Sequence, residues 1–367
     1  MLKSLPVLMY HSISPWPNPI TVAPEVFEKH LAAMNQAGWK GIGLDEAVDY
    51  LAKGWDLPDK TCLITFDDGY LDNHVFAAPL LKQHGHKGVI FTVTGKLVDE
   101  DLPRPTLEDV WNGFVDMRDL PQVDTQYARS GQGLRMRRDL FMSWKEARIM
   151  DQAGTMAVEA HSHRHRSVFV SPRFDKLMEP AMRRRTFDRL DHEIVFGLPD
   201  FRRGPALGGP AFLPSDELYE FVRKRVPQDR GQAREFFSRD DEAQSLLKEL
   251  AAWPAARLGR MEDERETALR MRDDLLTCRE ALEAGLGRAP KALAWPWGDY
   301  CQIALDQARE LGFEVFFCTD TGPNPPGKRP EHVHRFKARN KSGKWLMGRL
   351  NLYAKPLMAK AYSLVRK

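Results

Sequence analysis

The sequence is poor in three features that often decide the class of a protein: cysteine, long apolar runs and an excess of one charge. Its 367 residues include only four cysteines, and these stand far apart, which argues against a disulfide framework and a paired CxxC metal site. We interpret them as small apolar residues of a protein in a reducing compartment. They are Cys62, Cys278, Cys301 and Cys318.

No apolar run approaches the roughly 20 residues that a helix needs to cross a bilayer. The first plausible strand begins at Leu5, which leaves no room for a secretory signal, so we expect a cytoplasmic location. The net charge of +3 is small and argues against nucleic acid as a partner. With 43% hydrophobic and 29% charged residues, the composition is that of a globular protein with a sizeable core.

Strand-like and helical patterns alternate along most of the chain. From residue 5 to about 165, runs such as "TCLITFDDG" alternate with patterns such as "SWKEARIMDQAG", and the alternation returns from about residue 262. It predicts a parallel sheet with helices packed outside it. Residues 166–261 interrupt the alternation and are rich in Arg, Asp, Glu and Pro. We interpret them as an insertion with its own helices and a solvated charged surface.

Two adjacent carboxylates, Asp67 and Asp68, end the apolar run that begins at Cys62. An unpaired carboxylate is costly to desolvate, so buried acids are normally paired or bound to metal. Two carboxylates side by side also repel each other, and the pKa of one of them tends to rise. This pair therefore indicates a functional site at the end of a buried strand.

Three histidines follow another strand-like run, in "VEAHSHRHRS". His161, His163 and His165 alternate, so on an extended chain all three would point the same way. His161 and His165 are also four residues apart and would meet on a helical turn. With an aspartate from another strand end, two histidines make a metal-binding set that leaves positions open for water or substrate. The histidines alone are equally consistent with a surface cluster that binds nothing.

The motifs "TFDDGY", "HSHRH" and "WPWGDY", in this order, resemble those of the polysaccharide deacetylases (NodB homology, carbohydrate esterase family 4). The opening "LMYHSIS" resembles the start of the poly-N-acetylglucosamine deacetylase branch, in which the catalytic histidine motif lies at the N-terminus. The resemblance covers residues 5–165 and about 262–325. It implies a distorted (β/α) barrel that removes acetyl groups from N-acetylated sugars with a divalent metal. Zinc is the expected metal, with cobalt, nickel or manganese as alternatives.

The resemblance also implies roles for individual residues. Asp68, His161 and His165 would bind the metal, and Asp67 would act as the general base. His163 is not a ligand in the family pattern, although the spacing leaves this open. His11, which follows the first strand, would protonate the leaving amine, because histidine titrates near neutral pH.

The third motif implies contacts to the substrate. The backbone N–H of Trp297 would help to hold the oxyanion, and Trp295 and Trp297 would offer apolar walls to a sugar ring unless they are ordinary core residues. Asp320 could orient His11. Many relatives begin this motif with an arginine that holds the catalytic aspartate, but here that position is Ala294. The nearest basic residue is Lys291, so what orients Asp67 is open.

The predicted domain organisation is a barrel over residues 1–334, interrupted by the insertion 166–261, and a basic amphipathic segment over 335–367. After Glu331 the chain has no acidic residue. A helix here would gather apolar side chains on one side, and Pro356 would kink or split it. This segment is either a helix docked on the barrel or an interfacial anchor at an anionic membrane. The apolar side chains are Leu346, Leu350, Tyr353, Leu357, Ala361 and Leu364.

The leading hypothesis is a metal-dependent amidohydrolase that removes acetyl groups from a GlcNAc-like glycan. One alternative is an enzyme that hydrolyses a small non-sugar amide. Another is a glycan-binding protein without catalysis, for which the missing arginine is the only argument. An iron oxygenase would use the same three ligands but does not explain Asp67.

Overall fold

A computed structural model of the protein describes residues 1–100, 102–121, 127–130, 133–180 and 190–365. Within these ranges the strands, numbered in chain order, are β1 (Val7–Tyr10), β2 (Ser12–Ile13), β3 (Thr21–Val22), β4 (Lys40–Ile42), β5 (Thr61–Asp68), β6 (Gly88–Thr92), β7 (Tyr127–Ser130), β8 (Gly133–Met136), β9 (Met156–Ala160), β10 (Ser167–Phe169), β11 (Arg203–Pro205), β12 (Phe212–Pro214), β13 (Gly259–Met261), β14 (Ala292–Ala294), β15 (Val315–Phe317) and β16 (Phe336–Lys337).

The α-helices of the same ranges follow the predicted alternation with the strands. They are α1 (Pro24–Gln36), α2 (Leu44–Lys53), α3 (Ala78–His84), α4 (Leu107–Trp111), α5 (Trp144–Gln152), α6 (Asp216–Arg225), α7 (Arg230–Ser238), α8 (Asp240–Ala251), α9 (Ala255–Leu258), α10 (Glu264–Leu286), α11 (Gln302–Glu310), α12 (Gly343–Tyr353) and α13 (Pro356–Val365).

Eight parallel strands form the main sheet, in the order β15-β14-β9-β6-β5-β1-β16, with β4 paired to the start of β5. Parallel strands are joined by helices that cover the sheet, which confirms the predicted (β/α) architecture. In β5 all eight side chains are buried. Ile64 and Phe66 pack among the helices, whereas Leu63 belongs to a second apolar cluster with Phe91 and Phe317.

The two edges of this curled sheet are bridged by an irregular segment. Phe317 of β15 forms a single parallel bridge to Val333. Three residues later Phe336 pairs with Leu8 of β1. Residues 330–337 therefore run from one edge of the sheet to the other. Sequence analysis assigned no strand here, because β16 has only two residues.

In the described part of the predicted insertion, residues 166–180 and 190–261, there are four helices, α6 to α9, and two antiparallel ribbons, β10–β11 and β12–β13. It has its own apolar cluster, in which Phe201 contacts Phe169 and Phe212 edge-on. Most of the arginine-rich stretch "MRRRTFDRL" lies outside the described residues. The boundaries at 166 and 261 remain predictions.

The C-terminal segment splits at Pro356 into α12 and α13, because proline cannot supply the N–H that a continuous helix needs. Helix α12 packs on α1 and buries Leu346 and Leu350. Beyond the break, Leu357 and Leu364, which were predicted to lie on the apolar side of the segment, are exposed. Arg366 and Lys367 lie outside the described residues. No helix in the described ranges is long and apolar enough to span a membrane.

Candidate active site

Asp67 is clamped by an arginine from the other end of the chain. The guanidinium of Arg335 donates from Nη1 to Oδ1 at 2.6 Å and from Nη2 to Oδ2 at 2.9 Å. Both side chains are almost completely buried, with exposures of 2% for Asp67 and 1% for Arg335. Two parallel hydrogen bonds from a planar guanidinium hold a carboxylate in one orientation. Arg335 is therefore the residue that orients Asp67, a role that sequence analysis left open.

Arg335 is itself held on three sides. Its Nε donates to the carbonyl of Cys318 at 2.9 Å, and its Nη1 contacts the hydroxyl of Thr65 at 3.3 Å. The guanidinium carbon lies 5.6 Å from the ring centroid of Phe91. Sequence analysis counted Arg335 among the basic residues of the C-terminal segment. Its pattern in the sequence does not distinguish it from the exposed bases that follow.

Asp68 faces two histidines across a gap of metal-site size. Its Oδ1 lies 3.7 Å from Nε2 of His161 and 3.6 Å from Nε2 of His165. One ligand atom from each of the three residues lies within 4.8 Å of the others, and all three residues are buried. The structure thus brings together the three residues expected to bind metal.

The histidine loop reaches this geometry through a tight turn, not through strand alternation. Strand β9 ends at Ala160, and both Ser162 and His165 have positive φ angles, of 63° and 49°. The backbone N–H of His165 donates to the hydroxyl of Ser162 at 2.9 Å. His163 points away from the site, and its Nδ1 is 2.9 Å from the hydroxyl of Thr94. The loop therefore does not adopt the extended geometry in which all three histidines would point the same way.

A carboxylate that sequence analysis missed supports this loop. Asp274 of α10 accepts hydrogen bonds from the backbone N–H groups of His163 at 3.2 Å and Arg164 at 3.0 Å. Burial raises the pKa of Asp274. The residue lies in a regular helical pattern, so nothing in its sequence context distinguishes it from a surface acid.

His161 is oriented for binding through Nε2. Its Nδ1–H donates to the carbonyl of Ala294 at 2.7 Å, which leaves Nε2 as the acceptor nitrogen facing Asp68. Ala294 is the position where many relatives carry the arginine. Lys291 does not replace that arginine, because it pairs with Asp45 at 2.7 Å.

Cationic neighbours keep both aspartates ionised. Burial by itself would raise the pKa of Asp67, but the guanidinium of Arg335 holds that pKa below its ordinary value. Burial likewise opposes ionisation of Asp68, whose pKa is held far below its ordinary value by His165 and Lys96. The rise in one pKa expected for adjacent carboxylates therefore does not occur. Burial lowers the pKa of His161, which favours the neutral imidazole that metals bind.

His11 lies just beyond β1, beside the two aspartates, and its positive form would lower the pKa of both. Its backbone carbonyl accepts a hydrogen bond from Nδ2 of Asn73 at 2.9 Å. Its Nδ1 is buried and has no hydrogen-bond partner in the structure. The predicted orienting contact from Asp320 is not present: the carboxylate of Asp320 lies 3.3 Å from Nε2 of His332 instead.

The two tryptophans of the third motif have different environments. Trp295 is fully buried and stacks on Tyr300 and Phe316, with ring centroids 4.8 and 5.6 Å away. Its prediction as a sugar-stacking wall is wrong, because its faces are covered by core side chains. Trp297 is 39% exposed, and its ring lies 4.2 Å from that of His165. It is available at the edge of the site.

These groups all converge at the carboxyl ends of parallel strands, where the active sites of (β/α) barrels lie. Residues 55–194, which include both the aspartate pair and the histidine loop, match the family model described as polysaccharide deacetylase. Over 89 residues the chain is 42% identical to the Bacillus subtilis (strain 168) protein named "Putative polysaccharide deacetylase YxkH". That similarity spans 24% of this chain and 32% of the relative, so the chain matches about a third of that protein's length.

Similar folds occur in three solved structures. A de-N-acetylase from Aggregatibacter actinomycetemcomitans superposes with a TM-score of 0.60 at 18% identity, over 94% of this chain and 99% of that one. The BpsB deacetylase domain from Bordetella bronchiseptica gives 0.55 at 20% identity, over 91% and 96%. IcaB from Ammonifex degensii gives 0.52 at 19% identity, over 95% and 97%. At these identities the likeness establishes a common fold.

Fold and site define a (β/α)-barrel protein with an aspartate–histidine centre at the strand ends. The segment that carries this centre, residues 55–194, is similar to the polysaccharide deacetylase family.

The Arg335–Asp67 pair generates a stability prediction. Arg335→Met leaves a carboxylate buried without its partner, so we expect the unfolding free energy at neutral pH to fall by about 3–5 kcal/mol. The pKa of Asp67 is depressed in the native protein, so its contribution is lost as the pH falls through that low pKa. In Arg335→Met the unpaired Asp67 carboxyl is readily protonated. The difference in unfolding free energy between the native protein and the variant should therefore become smaller as the pH is lowered. Urea unfolding across a pH series measures both effects.

Arg339→Met is the matched control, because Arg339 is exposed and lies four residues further along. Its unfolding free energy should change by less than about 0.5 kcal/mol. If the difference in unfolding free energy between the native protein and Arg335→Met did not change with pH, that result would contradict the assigned ion pair.

Proposed function

We propose that this protein is a metal-dependent de-N-acetylase, which hydrolyses the acetamide of an N-acetylated sugar in a polysaccharide or a lipid-linked glycan. One observation carries the proposal: an ionised, arginine-clamped Asp67 lies directly beside the Asp68–His161–His165 cluster. This arrangement separates a carboxylate outside the ligand set, suited to proton transfer, from a ligand set suited to a metal.

The cluster fits a divalent transition metal. Two imidazoles and one carboxylate are ligands that zinc accepts in catalytic sites, and cobalt, nickel and manganese bind similar sets. The hydrogen bond from Nδ1 of His161 to a backbone carbonyl is the kind of outer contact that orients a ligating histidine. When bound, the metal would acidify a water molecule and polarise the acetamide carbonyl.

Asp67 is the general base of the proposed reaction. Its low pKa keeps it unprotonated at neutral pH, and Arg335 fixes its orientation, so it can accept the proton of an attacking water. His11, on the same side of the sheet, would donate a proton to the leaving amine, which is a poor leaving group when unprotonated. The backbone N–H of Trp297 would help to stabilise the oxyanion.

The proposal of a glycan substrate is supported by the match of residues 55–194 to the polysaccharide deacetylase family and by Trp297, which offers a partly exposed ring face to a sugar. The opening "LMYHSIS" supports a place near the poly-N-acetylglucosamine branch. A small non-sugar amide is the alternative substrate. A glycan-binding protein without catalysis was suggested only by the missing arginine, and Arg335 supplies a guanidinium to Asp67 from elsewhere in the chain. Acetate release from a panel of N-acetylated glycans and simple amides, with and without chelator, tests the proposal.

Substitution of the two aspartates should have different effects on metal content and activity. Asp68→Ala should lose metal and activity together, because it removes one of three ligands. Asp67→Asn should keep its metal and lose about 10²–10⁴-fold in turnover, because an amide cannot accept the proton. Metal analysis beside acetate release separates the two results. Equal metal loss in both folded variants would show that the roles are wrongly divided.

The role of His11 is tested through the leaving group. His11→Ala should slow acetamide hydrolysis by about 10²–10⁴-fold but leave the cleavage of an activated acetyl ester much less affected, because a good leaving group needs no acid. Parallel rate measurements on the two substrates give the comparison. The same loss on both would assign His11 to binding or structure.

We also propose that the enzyme works in the cytoplasm, at the inner face of an anionic membrane, and that α13 makes the contact. Its exposed face carries Leu357, Leu364 and Val365, with exposures of 84%, 67% and 86%. The exposed Lys360 flanks this face, and each basic group near an anionic surface adds about 1 kcal/mol. Apolar side chains beside cations are the pattern of an interfacial helix. A lipid-linked glycan would be presented at such a surface.

Liposome flotation at low salt tests this contact. A double variant, Leu357→Ser with Leu364→Ser, should lose most binding to anionic vesicles while keeping its acetate release from a soluble substrate. Substitution is preferable to deleting the whole segment, because α12 is part of the core. Leu269→Ser is the control, since Leu269 is a leucine of α10 with 58% exposure. If the native protein does not float, α13 has no such role.

A further inference from the structure

A second group of metal-type ligands lies at the segment that bridges the two sheet edges. Cys318 follows β15, and His332 and His334 lie on the bridging segment. One ligand atom from each of the three lies within 4.8 Å of the others. We propose that these residues, with Asp320, form a second site for a zinc-like transition metal, separate from the Asp68 cluster. This inference does not depend on the proposed deacetylase activity.

The ligand atoms converge on His332. Its Nε2 is 3.4 Å from Sγ of Cys318 and 3.3 Å from Oδ2 of Asp320. At these distances the lone pairs of the sulfur, the imidazole nitrogen and the carboxylate oxygen would repel one another. Either protons or a cation must lie between them. Tetrahedral zinc sites with cysteine and histidine ligands have ligand atoms at comparable separations.

Hydrogen bonding prepares His332 to bind through Nε2. The hydroxyl of Tyr300 donates its single hydrogen to the carbonyl of Glu331 at 3.2 Å and lies 2.9 Å from Nδ1 of His332. In the tautomer with a hydrogen on Nδ1, the hydroxyl accepts that hydrogen and gives its own to the Glu331 carbonyl, so that every hydrogen has a partner. This leaves a lone pair on Nε2, directed at Cys318 and Asp320. An outer partner of this kind is characteristic of ligating histidines.

The loop around His334 is also fixed in place. Asn324 holds its backbone on both sides: Oδ1 accepts from the N–H of His334 and Nδ2 donates to its carbonyl, each at 2.8 Å. Gly322 packs on the imidazole so closely that a Cβ there would lie 2.6 Å from its ring. Nδ1 of His334 is buried without a hydrogen-bond partner in the structure. A buried imidazole nitrogen of this kind is costly unless a ligand satisfies it.

The donor set favours zinc over the harder divalent ions. Thiolate and imidazole are the ligands that zinc and cobalt prefer, whereas magnesium and calcium require oxygen. Sγ of Cys318 donates at present to the carbonyl of Val333 at 3.2 Å. Binding would form a metal–sulfur bond and release that proton to solvent. Sequence analysis treated all four cysteines as apolar residues, because the histidines that meet Cys318 lie 14 and 16 residues away.

The position of the site gives it a structural role. Its ligands flank Arg335: His334 precedes it in the chain, and the carbonyl of Cys318 accepts from its Nε at 2.9 Å. The N–H of Arg335 donates to the carbonyl of Asp320 at 3.0 Å. An ion here would tie β15 to the bridging segment and so keep the clamp on Asp67 in place.

Cobalt(II) loading of the full-length protein, first stripped with chelator, tests the site. Thiolate-bound cobalt gives a near-ultraviolet charge-transfer absorption that the sulfur-free Asp68 cluster cannot produce. We expect this absorption in the native protein and its loss in Cys318→Ser and in His332→Gln. Metal analysis should find two ions per native chain and one in Cys318→Ser.

Two control variants show whether the absorption arises from the Cys318 cluster. Cys301→Ser, which changes a half-buried cysteine outside the cluster, should keep the absorption. Asp68→Ala should keep it too and should still bind one ion, with an apparent Tm that rises with cobalt concentration. No absorption in the native protein at saturating cobalt would overturn the proposal and leave a His332–Asp320 ion pair only. Absorption that survived in both Cys318→Ser and His332→Gln, or that disappeared in Asp68→Ala, would also overturn it.

Discussion

The buried ion pair between Asp67 and Arg335 is the interaction on which the rest of the site depends. Its two partners are 268 residues apart, and both are almost fully removed from water. A buried pair of charges is tolerated only with good geometry and further hydrogen bonds, and here Thr65 and the carbonyl of Cys318 complete the set. The irregular segment that bridges the sheet edges is needed to deliver the guanidinium. The same irregular segment thus bridges the sheet edges and fixes the orientation of the Asp67 carboxylate.

Backbone strain is concentrated around the same centre. Among the described residues other than glycine, six have positive φ angles, and four of them belong to or flank the proposed site. Such conformations cost about 1–3 kcal/mol each and persist only where surrounding contacts enforce them. Asp274 holds the histidine loop, and the bidentate Arg335 fixes the carboxylate next to Asp68. The four are Asp68, Ser162, His165 and Trp297.

The sequence predicted features that depend on neighbouring residues, but not those that depend on residues far apart in the chain. The strand–helix alternation predicted the parallel sheet, since apolar periodicity is a local property. The aspartate pair and the histidine motif predicted a common site, because parallel strands end at one edge of a sheet. Arg335 and Asp274 were not predicted, because each acts on residues more than 100 positions away and looks like an ordinary surface charge in its own segment. Trp295 and Trp297 are two residues apart, yet one is buried in the core and the other lies at the site.

The sequence by itself determined the fold class, the strand ends at which chemistry is possible and the residue types of the Asp68–His161–His165 cluster, because each is written in short stretches of chain. Only the tertiary structure decided which guanidinium faces Asp67, which tryptophan is exposed and which histidines meet Cys318. These depend on how the ends of the chain come together around the open edges of the sheet. That closure is a property of packing across hundreds of residues, and no local pattern encodes it.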